Sequence, residues 1–282
     1  MTFEINAMQV LAPAKVNLSL RVLSRRADGF HEIETFITPI SLHDELALKK
    51  TETGIEFSCD DPTIPPGDEN LVVRAATAFF KATGVSGGVS IRLSKQIPHG
   101  AGLGGGSSDA AATLKGLNEL FATKLPREAL AKLAELLGSD VPFFLFESAA
   151  LCRGRGELIS PQKLPESFSL LLLKPEFGVA TPWAYSNWQG AQSIPGIQYD
   201  AQEYNGHTFV NDLERPVFAK FVFLARLKMW LLGQPEVAVA LMSGSGSTIL
   251  AVVKNSESTD ALADRARTEL DPKLWSCACE TT

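Results

Sequence analysis

Residues 98–108 form the most constraining segment of the chain, with the sequence PHGAGLGGGSS and four glycines within the five positions 102–106. Glycine has no Cβ, so successive backbone N–H groups in such a run can turn toward a single anion. The segment Ala110–Phe121 then has helical spacing, and the first turn of a helix adds unpaired N–H groups and a partial positive charge. Ser107 and Ser108 add hydroxyl groups for phosphate or magnesium. The segment therefore predicts a phosphate-binding loop that opens a helix.

Other glycine motifs fit this segment poorly. Gly100-x-Gly102-x-x-Gly105 matches the dinucleotide-binding fingerprint, but that motif needs an acidic residue after a second strand about 20 positions on, and Glu119 lies inside a predicted helix. Hydride transfer is thus a distant alternative. No Gly-Lys-Ser/Thr closes a Walker A loop, and neither His-Arg-Asp nor Asp-Phe-Gly of protein kinases occurs. A flexible linker, or a tight turn with a Ser/Asp helix cap, is the plain structural alternative.

Composition and charge exclude several classes of protein. The 282 residues are 45% apolar and 21% charged, which is typical of a folded globular chain, and the length favours two domains. A net charge of −6 provides no basic field for nucleic acid. Residues 1–10 contain no basic leader, and no apolar run reaches the roughly 18 residues that span a bilayer. We therefore expect a soluble cytoplasmic protein with neither nucleic acid nor membrane as a partner.

The four cysteines are Cys59, Cys152, Cys277 and Cys279. The last two form a Cys-x-Cys pair, which has neither zinc-site nor redox-motif spacing. Reduced, structural cysteines are the prediction.

Hydrophobic periodicity predicts an α+β protein. The predicted strands are Met8–Leu23, Ile33–Ile40, Asp44–Lys49, Gly54–Cys59, Val89–Leu93, Ala149–Cys152, Phe168–Leu173, Val237–Met242 and Thr248–Val253. The predicted helices are Leu71–Ala82, Ala110–Phe121, Arg127–Leu137, Thr181–Asn187, Asp212–Leu232 and Thr259–Leu270, with another opened by Pro142. A polar stretch at Glu157–Pro165 predicts a boundary between one domain over 1–160 and a second over 161–282.

Three motifs, in order, resemble those of the GHMP kinases. The central loop of that superfamily, Pro-x-x-x-Gly-Leu-Gly-x-Gly-Ser-Ser, is matched by Pro98–Ser108, with Ala12–Leu18 (APAKVNL) before it and Met242–Ser247 (MSGSGS) after it. The resemblance implies a two-domain α+β GHMP kinase fold. Its N-terminal domain would be like domain 2 of ribosomal protein S5, its C-terminal domain ferredoxin-like, and its active site in the cleft between them. Whether the last strand returns to the first domain stays open.

Five further stretches are most similar to the GHMP kinases that act on the cytidine diphosphate derivative of methylerythritol, in the non-mevalonate pathway of isoprenoid synthesis. They are Pro13–Asn17, Arg26–His31, Gly104–Ala111, Gly138–Phe144 and Asn211–Glu214. The resemblance implies transfer of the ATP γ-phosphate to the 2-hydroxyl of this small molecule, with Mg²⁺ as a second cofactor, in a monomer or weak homodimer. It assigns no protein metal ligand and implies that ATP is bound by Pro98, His99, Gly100, Ala101, Gly102, Leu103, Gly104, Gly105, Gly106, Ser107 and Ser108.

Lys15 and Asp140 fit the chemical needs of phosphoryl transfer. The reaction asks for positioning, for cations that offset charge, and for a group that accepts the hydroxyl proton. By resemblance, Asp140 is the general base, while Lys15 keeps it ionised and stabilises the developing alkoxide. The plain alternatives are a helix N-cap before Pro142 for Asp140 and an exposed strand lysine for Lys15.

Recognition of a cytosine base needs a flat stacking surface and hydrogen-bond partners at the base edge. Phe30 and His31 offer both, although related kinases usually have Tyr at the position of Phe30, so a hydroxyl is lost. Tyr185 is predicted as the opposing aromatic, with Trp183 as the competing choice and core packing as the plain alternative. The full set of predicted substrate-binding residues is Asn17, Phe30, His31, Thr181, Tyr185, Gly244 and Ser245.

Two other functions stay open at this point. A GHMP kinase for mevalonate or homoserine would share the ATP loop but would not require the Asp28–His31 element together with Tyr185. A non-catalytic nucleotide-binding protein would keep the glycine loop without needing Lys15 or Asp140. Since both of these residues are present, we favour catalysis.

Overall fold

A computed structural model describes residues 6–282. These residues divide into two compact units, each discontinuous in sequence. The first comprises residues 6–14, 43–98 and 104–147, and the second comprises residues 15–42, 99–103 and 148–282. The boundary predicted near residue 160 falls inside the second unit.

The chain alternates strands and helices, as predicted for an α+β protein. The strands are β1 Ala7–Arg25, β2 His31–Thr51, β3 Ile55–Cys59, β4 Gly88–Ser94, β5 Ala150–Gly154, β6 Leu158–Pro161, β7 Ser169–Lys174, β8 Gln202–Tyr204, β9 His207–Asn211, β10 Val237–Met242, β11 Ile249–Val253 and β12 Trp275–Glu280. The α-helices are α1 Leu71–Thr83, α2 Gly105–Leu120, α3 Arg127–Glu135, α4 Thr181–Ser186, α5 Glu214–Lys220, α6 Val222–Leu232 and α7 Thr259–Glu269. Short 3₁₀ helices span Pro142–Leu145 and Ser256–Ser258.

The first unit packs helices on a mixed sheet. The second half of β2 pairs antiparallel with β4, and β3 pairs in parallel with β4. Helix α1 begins where the Asn70 side chain accepts the N–H of Val72, and it ends at Gly84 in the left-handed region. Helix α2 lies directly on β2, because a Cβ at Gly116 would be 2.3 Å from Cδ1 of Leu48. The fully buried core includes Leu46, Leu48, Phe79, Ile91, Leu114 and Leu117.

The second unit contains two sheets. In one, β9 pairs in parallel with β1, the first half of β2 pairs antiparallel with β5, and β6 and β8 extend the edges. The other is an antiparallel sheet in the order β10-β11-β7-β12. Helices α6 and α7 contact this second sheet. The buried core of the unit includes Leu171, Leu173, Leu224, Leu227, Ala251 and Leu262.

The two strands predicted over Ile33–Ile40 and Asp44–Lys49 form one continuous strand, so that prediction is wrong. Asp44, at the predicted start of the second strand, is fully buried. Its carboxylate accepts the N–H groups of Gln96 and Ile97 at 2.6 and 2.8 Å. A buried carboxylate with backbone donors is satisfied in place, so the strand has no need to turn there.

Three helix predictions differ clearly from the structure, and the other helix bounds agree within two residues. Helix α2 begins at Gly105, five residues before the predicted start at Ala110, because glycine tolerates helical geometry there although its propensity is low. The predicted helix over Asp212–Leu232 is two helices, since Phe221 leaves helical geometry with φ −113° and ψ 69°. Pro142 opens only four residues of 3₁₀ helix.

The cysteines and the helix lengths bear on two predictions made from composition. All four cysteines are free thiols in the structure, and their reduced state stays a prediction. Within residues 6–282, no helix has the length and apolar character needed to cross a membrane.

Candidate active site

The N-terminus of α2 in the first unit has the features of an anion-binding surface. Its cap residue, Gly104, has φ +73° and no side chain to bond the first-turn N–H groups. The N–H of Ser108 donates to the carbonyl of Gly104 at 2.9 Å, so the N–H groups of Gly105, Gly106 and Ser107 precede the first intrahelical bond. The first turn contains no acidic side chain. These unpaired donors and the helix dipole together favour a phosphate.

A buried cluster of three charged side chains lies next to the first turn of α2. The Nζ of Lys95 lies 2.5 Å from Oδ2 of Asp44 and 3.0 Å from Oδ2 of Asp109, so one amine is shared by two carboxylates. The same Nζ would be 3.3 Å from a Cβ at Gly105, which places it beside the start of α2. Sequence analysis missed this cluster, because residues 44, 95 and 109 follow no common spacing.

The cluster carries an unusual protonation balance. Burial raises the pKa of Asp109 to about 7, with Lys95 opposing the shift and the charge of Asp44 adding to it. Burial lowers the pKa of Lys95, but the two carboxylates outweigh burial and raise it overall. Among the described residues, Oδ1 of Asp109 and Oγ of Ser108 are buried without a hydrogen-bond partner. Buried polar atoms of this kind suit a ligand or an ion.

Asp140, the predicted base, lies in the first unit in a turn after α3 and is partly exposed. The cap residue of the following 3₁₀ helix is Val141 rather than Asp140. The N-cap alternative for Asp140 therefore does not hold.

Lys15, the predicted cation, belongs to the second unit and is only 4% exposed, so the alternative of an exposed strand lysine is wrong. Its Nζ donates to Oδ1 of Asn17 at 2.6 Å, and Nδ2 of Asn17 donates to Oγ1 of Thr35 at 2.8 Å. The hydroxyl of Thr35 in turn donates to the carbonyl of Ser19 at 2.6 Å. Residues 15 and 17 share a face of β1 because side chains alternate along a strand. This relay orients the ammonium group.

Residues 99–103 lie against the loop 243–247, which joins β10 to β11. The Oγ of Ser243 donates to the carbonyl of Gly102 at 3.1 Å, and the N–H of Thr248 donates to the carbonyl of Ala101 at 3.2 Å. A Cβ at Gly102 would lie 2.2 Å from the carbonyl oxygen of Ser243. Only glycine permits this backbone approach. On the other side, the N–H of Lys15 donates to the carbonyl of Leu103 at 3.0 Å.

Four of the predicted substrate-binding residues meet around the loop 243–247. A Cβ at Gly244 would be 3.3 Å from Nζ of Lys15 and 3.3 Å from Oδ1 of Asn17. The hydroxyls of Ser245 and Thr181 are 2.8 Å apart. The structure thus brings Asn17, Gly244, Thr181 and Ser245 to the loop beside the Lys15 ammonium.

Sequence analysis missed the side chains that hold this loop. Nδ2 of Asn211 donates to the carbonyls of Met242 and Gly244, at 2.7 Å each. Oε1 of Glu214 accepts the N–H of Met242 at 2.9 Å, and Oε2 forms a buried ion pair with Lys228 at 2.7 Å. Burial raises the pKa of Glu214, with Lys228 opposing the shift. The only signal in the sequence was the similarity of Asn211–Glu214 to related kinases, and that similarity assigned no role to these residues.

The predicted aromatic residues lie in the second unit. The ring centroids of His31 and Tyr185 are 5.4 Å apart, whereas Trp183 packs edge-on against Phe221 at 5.8 Å. This arrangement favours Tyr185 over Trp183 as the aromatic near His31. Phe30 is half exposed. Burial, and then the charge of Arg25, lower the pKa of His31, which favours the neutral imidazole with one donor and one acceptor.

Comparison with known proteins places the fold in one class. The model of the GHMP kinases N terminal domain matches residues 70–148. The crystal structure of a homoserine kinase from Cytophaga hutchinsonii has the same fold, with a TM-score of 0.72 and 19% identity over all of this chain and 96% of that one. The chain therefore has the fold of the GHMP kinases, and the predicted α+β GHMP kinase fold is confirmed.

Relatives with higher sequence identity show which family of GHMP kinases the chain belongs to. The 4-diphosphocytidyl-2-C-methyl-D-erythritol kinase of Methylacidiphilum infernorum is 41% identical over 274 residues, which cover 96% of this chain and 95% of the relative. The crystal structure of a 4-(cytidine 5'-diphospho)-2C-methyl-D-erythritol kinase has a TM-score of 0.81 and 37% identity, over 98% of this chain and 100% of that one. The chain belongs to the 4-diphosphocytidyl-2-C-methyl-D-erythritol kinase family.

Replacing Gly102 by Ala should destabilise the protein in two ways, through the positive φ and through the close approach to the Ser243 backbone. A matched control separates the two effects. The φ of +75° is unfavourable for alanine, and the new Cβ would meet the backbone of Ser243. Gly206→Ala is the matched control, because Gly206 has φ +74° with open space around its Cβ position. We expect the control to lose about 1 kcal/mol of unfolding free energy and Gly102→Ala to lose about 2 kcal/mol more, measured by urea unfolding. Equal losses would contradict the close approach.

Asp109→Asn should change how stability depends on pH. The folded-state pKa of Asp109 lies above its unfolded value of 3.8, so the folded state retains a proton that the unfolded chain releases. Folding stability of the wild type should therefore fall as pH rises from about 4 to about 7, by at most about 1.4 kcal/mol per pH unit. The Asn variant should lack this fall, whereas Asp68→Asn, at an exposed position of the same unit, should keep it. Parallel pH profiles for wild type and Asp109→Asn would refute the prediction.

Proposed function

We propose that this protein transfers the γ-phosphate of ATP to the 2-hydroxyl of 4-diphosphocytidyl-2-C-methyl-D-erythritol, giving the 2-phosphate and ADP. The reaction belongs to the non-mevalonate pathway of isoprenoid synthesis. Relatives named as 4-diphosphocytidyl-2-C-methyl-D-erythritol kinases align along nearly the whole chain, which supports this substrate. We further propose that the protein acts in the cytoplasm as a monomer or weak homodimer.

The observation that carries the proposal is the orientation of Lys15. A buried ammonium group needs a partner to offset its desolvation. Here the Asn17–Thr35 relay provides a neutral oxygen at 2.6 Å, and the backbone of Gly244 lies alongside. This arrangement supports a role for the ammonium group in offsetting negative charge on an alkoxide or a phosphate.

The ATP triphosphate would be bound by the residues from Pro98 to Ser108, through the first-turn N–H groups of α2. Mg²⁺ would neutralise phosphate charge there. Among residues 6–282, no group of three or more His, Cys, Asp or Glu side chains could hold a metal by itself. The unpartnered Ser108 hydroxyl fits a magnesium ion that arrives with ATP and is bound mainly by phosphate oxygens, with Ser107 as a second hydroxyl.

The chemical step uses two side chains in this proposal. Asp140 accepts the proton of the 2-hydroxyl as that oxygen forms its bond to the γ-phosphorus, and the bond from the γ-phosphorus to the bridging oxygen breaks to release ADP. Lys15 offsets the negative charge on the attacking oxygen. That Lys15 and Asp140 meet around the substrate stays a prediction.

Recognition of the cytosine is assigned to three side chains. Phe30 stacks on the base, Tyr185 opposes it, and the neutral imidazole of His31 bonds its edge. Thr181, Ser245, Gly244 and Asn17 would line the remainder of the substrate. The half-exposed ring of Phe30 and the 5.4 Å approach of His31 to Tyr185 support this assignment.

A substrate panel tests the proposal directly. Purified protein is given ATP and magnesium with the cytidyl substrate, with mevalonate or with homoserine, while ADP release is followed. We expect turnover with the cytidyl substrate alone. ADP release with mevalonate or homoserine, but none with the cytidyl compound, would establish one of the alternatives instead. Binding of ATP without turnover of any of them would favour a non-catalytic nucleotide-binding protein.

Asp140→Asn tests the general base. The amide cannot accept the hydroxyl proton, so we expect kcat to fall by about 10²- to 10⁴-fold, with the ATP dissociation constant nearly unchanged. Glu135→Gln, an exposed acid near the end of α3 in the same unit, is the matched control and should keep full activity. Near-normal turnover of Asp140→Asn would remove Asp140 from the mechanism.

A further inference from the structure

Phe30 lies on a firmly built turn between β1 and β2. The N–H of Arg26 donates to the carbonyl of Phe30 at 2.8 Å, and the N–H of Phe30 donates to the Asp28 carboxylate at 3.1 Å. The backbone of Phe30 is therefore held at both polar groups. Its side chain is nevertheless 50% exposed, and a phenyl ring has no polar atom that could fix its orientation.

Arg155 covers one face of this ring. Its guanidinium carbon lies 4.7 Å from the centroid of the Phe30 ring, within the range of a cation–π contact. Arg155 follows Gly154, the last residue of β5, whose φ of +73° turns the chain toward β6. Arg155 thus lies at the tip of the β5–β6 hairpin, in the same unit as Phe30.

The carboxylate of Glu157 lies beside the guanidinium group of Arg155. Nε of Arg155 is 3.8 Å from Oε1 of Glu157, and Oε2 of Glu157 accepts the backbone N–H of Arg155. Asp28 also feels its charge. Desolvation raises the pKa of Asp28, but the N–H of Phe30, the Arg26 guanidinium and the charge of Arg155 together lower it overall. Arg155 is therefore paired with Glu157 while its guanidinium group lies over the ring of Phe30.

We propose that Arg155 is a positioning residue for pyrimidine recognition. It occupies one face of Phe30 and holds the ring so that the opposite face is presented to the base, in a stack of guanidinium, phenyl and pyrimidine. This inference rests on the proposed function, in which Phe30 stacks on cytosine. Related kinases usually carry Tyr at this position, and a tyrosine hydroxyl can fix a ring by hydrogen bonding. The phenyl ring of this chain depends on contacts with its faces, and Arg155 provides one.

The test compares Arg155→Gln with Arg153→Gln. Arg153 lies two residues earlier in the same hairpin and pairs with Glu34 at 2.8 Å, so its substitution removes the same charge away from the ring. A cation–π contact at an exposed site corresponds to about a two- to five-fold change in affinity. We expect Arg155→Gln to raise the KM for the cytidyl substrate by that factor, with kcat and the KM for ATP unchanged. Arg153→Gln should leave all three values unchanged.

A double-mutant cycle shows whether the effect passes through the ring. In a Phe30→Leu background, Arg155→Gln should have no further effect on the KM for the cytidyl substrate, because no aromatic face remains to be held. Arg155→Lys keeps a cation near the ring, so it should raise this KM less than Arg155→Gln does, and it provides a second variant if the Gln protein folds poorly.

The outcomes separate this inference from the proposed function. Wild-type protein that fails to turn over the cytidyl substrate would overturn both. With active wild-type protein, an unchanged KM in Arg155→Gln would overturn only the role of Arg155. An equal rise in KM with and without the Phe30 ring would also overturn it, and so would equal effects of the Lys and Gln variants.

Discussion

The contact between two glycine-containing backbones in the second unit is the constraint on which the candidate site depends. Residues 99–103 receive hydrogen bonds from Lys15 on one side and from the loop 243–248 on the other. The absence of a Cβ at Gly102 permits an approach that would otherwise place that atom 2.2 Å from a carbonyl oxygen. Both β1 and the loop 243–247 form hydrogen bonds with residues 99–103. The Lys15 ammonium and the backbone of Gly244 therefore lie side by side.

Buried charges fix the backbone beside Gly105 in the first unit and beside the loop 243–247 in the second unit. Burying these charges has an electrostatic cost. Burial of Asp109 beside Lys95 and Asp44 raises its pKa to about 7, and burial raises the pKa of Glu214 against the opposing charge of Lys228. Apolar residues of equal volume are often as stabilising as a buried ion pair. These groups also bond main-chain N–H groups, with Asp44 reaching Gln96 and Ile97 and Glu214 reaching Met242. Their role is therefore to fix backbone next to the site, more than to add stability.

Much of the site could be predicted because its chemistry is local. The glycine run, the Pro13–Asn17 stretch and the Ser243–Ser247 turn can each be recognised from a few adjacent letters. The burial of Lys15 and its relay to Asn17 and Thr35 could not be predicted, since Thr35 is on another strand. Likewise, Lys95 and Asp44 are 51 positions apart, and Arg155 meets Phe30 only because β5 pairs with β2.

The sequence by itself determined the α+β class, most of the strands and helices, and the segments that carry phosphate chemistry, because periodicity and glycine content act over short distances. Only the tertiary structure decided that β2 continues through Asp44, that the helix after Asp212 breaks at Phe221, and which side chain lies over Phe30. Those outcomes depend on partners far along the chain: a buried carboxylate is satisfied by the backbone of a distant loop, and the ring of Phe221 stacks on Phe177. Contacts of this kind leave no trace in local spacing, which is why they required the folded chain.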